Sequence, residues 1–158
     1  MKLFNSKAEQ IYYLVYTITM LLLYLGYVAL DNARLSKGAM RGNGTPITDV
    51  EWEAMSQMVA WTVNLEFIFL GLFVVMLSIM YFRSFKNKSV IKPFLVTHAV
   101  LFTVLLVLSF ALLPVTSLPI GNLLQPLLSL AIITLFLISL FFVIFILRTM
   151  KKKTEQSF

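Results

Sequence analysis

The sequence predicts an all-α polytopic integral membrane protein, a four-transmembrane-helix bundle, and three observations carry that prediction. Of the 158 residues, 59% are hydrophobic and only 13% charged, whereas a soluble domain is roughly 45–50% apolar and about 25% charged. Four apolar stretches each approach the roughly 20 residues that a helix needs to cross about 30 Å of hydrocarbon. The basic residues flank those stretches and do not interrupt them. A mean hydropathy of +0.89 excludes a disordered chain. The runs lack β alternation and are too long for barrel strands, so helices are the spanning solution. A single domain covering residues 1–158 is expected.

The first span covers residues 11–30. Lys2 and Lys7 precede it as they would a signal peptide, but its apolar run exceeds the usual h-region and no small-residue cleavage pattern follows. It is expected to be retained. Residues 31–57 then form an external loop. The stretch 35–46 is rich in glycine and polar residues and is expected to be flexible. The sequon at Asn43 is followed by Pro46, which makes it a poor acceptor.

Residues 48–51, Thr-Asp-Val-Glu, have the form of a capping box, in which Thr48 caps free backbone N–H groups and Glu51 reaches back. The second helix is therefore expected to begin ahead of its apolar span, residues 58–82, and to project from the membrane. Trp52 and Trp61 bracket the interface, where indole rings prefer to lie. The third span covers residues 94–113. Three prolines and Gly121 fall within 114–126 and predict a tight turn. The fourth span covers residues 123–147. Short second and third connections make consecutive helices antiparallel neighbours.

Charge fixes the expected orientation. Lys2, Lys7, Arg83, Lys86, Lys88, Lys92, Arg148 and the lysines at 151–153 belong to one side of the membrane, and only Arg34, Lys37 and Arg41 to the other. The positive-inside rule places both termini in the cytoplasm, with the plasma membrane as the expected location. The formal charge of +6 thus has a topological explanation, and no nucleic-acid surface is predicted.

Absences narrow the chemistry. Without cysteine there is no thiolate nucleophile and no Cys-ligated zinc or iron–sulfur cluster. One histidine and seven acidic residues suggest no metal site, and no cofactor is expected. P-loop, GxSxG and HExxH motifs are missing. Enzymatic activity is not expected, and a lipid-site enzyme built on Glu66, Asn122 and Gln125 would lack a nucleophile–base spacing.

Polar groups inside the spans are the candidate site residues. Glu66 lies within the second span, where a carboxylate is costly and faces a partner or water. No lysine or arginine lies in any predicted span, so its intrachain partners are hydroxyls, amides or backbone groups. With span midpoints aligned, Tyr24, Ser109 and Ser129 fall near its depth and predict a polar layer. His98 lies some 15 Å deeper, too far for a direct acid–base pair with Glu66. It is expected to make hydrogen bonds near the inner end.

Thr62 and Glu66 share one helix face, while Asn64, Gly71 and Ser78 repeat every seven residues on nearly the opposite one. Small and polar residues at that spacing allow close helix packing in lipid. A further stripe, Tyr13, Thr17, Met20, Tyr24 and Tyr27, suits packing and interfacial anchoring. Asn122, Gln125 and Ser129 share a face at the outer end of the fourth span, where capping and turn bonds explain the two amides.

The function expected is that of a non-enzymatic accessory, regulatory or protective subunit. Its partners are the bilayer and another membrane protein or copies of itself. The alternative is a small homo-oligomeric transporter or channel in which Glu66 binds a proton, a cation or a basic substrate.

Overall fold

The computed structural model describes residues 6–39 and 48–155. Helix α1 covers Lys7–Ala39, α2 Asp49–Lys86, α3 Ile91–Leu112 and α4 Ile120–Glu155. Short 3-10 turns at Lys88–Val90 and Leu113–Val115 flank α3. Four helices are long and apolar enough to cross a membrane. The chain divides into two compact units, Met1–Leu127 and Leu128–Phe158.

Each helix boundary has a local cause. Ser6 precedes α1, and its side chain accepts from the Glu9 N–H at 3.1 Å. The Thr48 capping box starts α2 where the sequence predicts it, with Thr48 and Glu51 each accepting from the other's backbone N–H. Asn87 stops α2: its N–H bonds the Arg83 carbonyl, and its side chain accepts from Ser89 N at 2.9 Å, closing the next turn. Pro93 occupies the first turn of α3, where no intrahelical N–H is needed. Pro114 lies in the turn that terminates it.

Three boundaries differ from the sequence expectation. The predicted 31–57 loop begins too early, because α1 continues nine residues beyond its apolar run to Ala39. Its last turns are held by polar bonds instead of apolar burial: Arg34 pairs with Asp31 one turn back, and Asn32 accepts from Ser117 N at 2.7 Å. Of the stretch expected to be flexible, residues 35–39 are helical; the remainder up to residue 46, with the Asn43 sequon, lies outside the described residues. Helix α4 begins at Ile120 and contains Pro126, which the sequence assigned to the preceding turn.

In the first unit α1 is the central element. Its buried face runs Tyr13, Tyr16, Met20, Tyr24, Tyr27 and Asp31, steps of three and four residues that hold one stripe along a helix. Helix α2 contributes Thr62, Phe69, Phe73 and Met76, and α3 contributes Phe94, Leu101, Leu105 and Ser109. Gly26 permits close approach of α2: a Cβ there would lie 3.4 Å from the Leu65 Cδ1. Arg83 of α2 lies 3.8 Å from Glu9 at the start of α1, so the two helices run antiparallel. Tyr16 pairs with His98 and Tyr24 with Ser109, so α1 and α3 run parallel.

Large apolar side chains remain outside this core. Ile11, Leu22, Phe67, Val75, Leu95 and Val107 are each more than half exposed. So many exposed large apolar side chains are rare on a soluble monomer. The second unit is the continuation of α4, in which Thr134 and Ser139 donate to carbonyls one turn back.

Candidate functional site

A cavity of about 150 Å³ opens between α1, α2 and the first turns of α4, lined by Tyr27, Asp31, Arg34, Val59, Thr62, Val63, Glu66, Asn122 and Gln125. Three of the helices supply its walls. The extension of α1 beyond residue 30 supplies Asp31 and Arg34. Thr62 and Glu66, four residues apart on one face of α2, supply the second wall. Asn122 and Gln125, three apart, supply the third.

Pro126 prepares one of the bonds around it. A residue at this position would ordinarily donate its N–H to the Asn122 carbonyl, and proline has none to give. The Asn122 carbonyl instead accepts from the Tyr27 hydroxyl at 3.0 Å. The same hydroxyl lies 3.5 Å from the Gln125 Oε1.

Asp31 is buried, with 2% of its surface exposed, and its charge is answered from both sides. Arg34 donates Nε and Nη2 to Oδ1 at 2.8 and 2.6 Å, while the Asn122 Nδ2 donates to Oδ2 at 2.8 Å. Such charge-assisted bonds are stronger than neutral ones. Gln125 Nε2 donates to the Glu66 Oε2 at 3.0 Å, and the Thr62 hydroxyl donates to the Met58 carbonyl at 2.8 Å.

The amides of Asn122 and Gln125 therefore serve differently from the capping and turn bonds expected of them. Their side chains reach across to carboxylates on α1 and α2. Glu66 has an amide partner, within the class predicted, but from Gln125. Tyr24 and Ser109 bond each other at 2.7 Å as a separate buried pair, and the Leu123 carbonyl accepts from the Tyr24 hydroxyl at 3.2 Å. Ser129 lies in the second unit.

His98 forms another cluster, apart from Glu66. Its Nε2 lies 3.0 Å from the Tyr16 hydroxyl and its Nδ1 2.8 Å from the Phe94 carbonyl, between the rings of Phe73 and Phe94. Its role in the fold is to tie α3 to α1. Asn64, Gly71 and Ser78 are exposed along α2. A Cβ on Gly71 would meet nothing within 4 Å, and Ser78 donates to the Val74 carbonyl of its own helix.

Asp31 and Arg34 are the charged lining residues that sequence reasoning did not place at a site. Their signal was present: Asp31 continues the three-and-four spacing of the tyrosine stripe, and Arg34 follows at i+3. Among the described residues, no group of three or more His, Cys, Asp or Glu side chains is placed to hold a metal ion. No protein-family model, curated protein or solved structure matches the chain.

Proposed function

We propose that this is a non-enzymatic multi-pass membrane protein, with both termini cytoplasmic, that acts as an accessory, regulatory or protective subunit by packing α2 against another membrane protein. The observation that carries this proposal is the exposed Asn64 amide. Among the described residues its side chain makes no hydrogen bond. Facing hydrocarbon, such a group costs free energy that a partner helix with donor and acceptor groups recovers. Gly71 and Ser78, one and two heptads further on, are small enough for that helix to approach closely. Extraction from the native membrane in mild detergent, followed by native mass analysis, tests the proposal. Wild type is expected to carry a second protein stoichiometrically, and Gly71→Leu to lose it while remaining folded. An association unaffected by Gly71→Leu contradicts this face.

The polar cavity supports a second function, transport or conduction of a proton, cation or basic substrate by way of Glu66. Glu66→Gln preserves shape and removes the titrating group, so flux into proteoliposomes is expected to vanish. Full flux in that variant removes Glu66 from any transport mechanism.

A further inference from the structure

Both hydroxyls lining the cavity spend their proton on a backbone carbonyl, and its one guanidinium is bonded to Asp31. The single proton of Tyr27 is directed to the Asn122 carbonyl, and that of Thr62 to the Met58 carbonyl. Both oxygens can then meet a ligand only as acceptors. Asn122 Nδ2 donates one N–H to Asp31 and Gln125 Nε2 one to Glu66, each amide keeping a second N–H, and the carbonyl oxygen of Gln125 remains an acceptor. Arg34 directs Nε and Nη2 onto Asp31. The lining contains two carboxylates against one guanidinium.

A guest complementary to this wall brings hydrogen-bond donors and positive charge. We propose that the cavity binds a small primary alkylammonium cation, its three N–H donors shared among the Glu66 carboxylate, Thr62 Oγ1 and Gln125 Oε1. Val59 and Val63 line the same cavity and provide apolar contact for a short carbon stem. A bare inorganic cation has no use for those two side chains. The volume of about 150 Å³ suits a stem of a few carbons.

This inference rests on the cavity invoked for transport, but concerns equilibrium binding. The test titrates the full-length detergent-solubilised protein with n-propylammonium chloride by calorimetry. Tetramethylammonium chloride, which has charge without N–H donors, and sodium chloride serve as comparisons at equal ionic strength. Wild type is expected to bind propylammonium saturably, with affinity about tenfold lower in Glu66→Gln and several-fold lower in Thr62→Val, as loss of a charge-assisted bond implies. Neither comparison salt is expected to compete.

No saturable binding by wild type overturns the proposal, as does equal binding of tetramethylammonium or sodium. If Glu66→Gln does not fold, Thr62→Val decides: an unchanged affinity overturns the assigned contacts. Saturable binding without proteoliposome flux removes the transport function and leaves the site. Flux that depends on Glu66 without propylammonium binding retains transport and overturns the ligand class.

Discussion

Tyr27 and Pro126 make one hydrogen-bonding unit although they lie on different helices. Pro126→Ala restores an N–H that competes for the Asn122 carbonyl, so the Tyr27 hydroxyl loses its exclusive acceptor and the α1–α4 contact loosens. The expected result is faster amide exchange at 122–125, measured by hydrogen–deuterium exchange, even though alanine is the better helix former. Unchanged or slower exchange there would contradict that linkage. Tyr24→Phe removes the donor to the Leu123 carbonyl and the buried bond with Ser109. Interhelical hydrogen bonds in membrane proteins average about 0.6 kcal/mol and reach about 1.7, so a loss of about 1 kcal/mol in detergent unfolding is expected. Leu105→Ala, which empties a fully buried site, is expected to cost more, about 2–5 kcal/mol.

Among the elements, α2 was the most legible. Its start follows from four residues, because a capping box is local chemistry that needs no tertiary partner. Thr48→Ala is expected to fray residues 49–51, raising their exchange rates and costing about 1 kcal/mol, with the core unchanged. The end of α1 was illegible for the opposite reason: it depends on Asp31 finding Asn122, 91 residues away, and on Asn32 finding Ser117. Hydropathy marks where an apolar run stops, which is a different position from where helical hydrogen bonding stops.

The site divided in the same way. Glu66 announced itself as a carboxylate in an apolar run, and the lack of lysine or arginine in the predicted spans left hydroxyls, amides or backbone groups as its intrachain partners. Depth pointed to Tyr24, Ser109 and Ser129 and not to Gln125, whose amide bonds Glu66, because depth alone ignores rotation about each helix. At Gly26 a Cβ would lie 3.4 Å from the Leu65 Cδ1 across the α1–α2 contact. Gly26→Ala is expected to be accommodated by a small Leu65 shift, whereas Gly26→Leu overfills the contact at a cost of about 1–3 kcal/mol, readable as a lower unfolding temperature.

For the whole molecule, the exposed apolar surface and the four long helices together favour residence in a bilayer. Two faces of α2 are then distinguished by what they carry. Thr62 and Glu66 turn toward the polar cavity, while Asn64, Gly71 and Ser78 turn away from it and present an amide and small side chains to the surroundings. An account built on helix packing makes that second face the point of contact with a partner.

Photo-crosslinking in the native membrane tests this claim most directly. A benzophenone side chain is placed singly at position 64, 71 or 78, and for comparison at 100 or 107 on the exposed face of α3. Adducts of one protein of defined mass from 64, 71 and 78, and their absence from 100 and 107, are the predicted result. Lipid adducts alone from every position, or equal protein adducts from both helices, would contradict it.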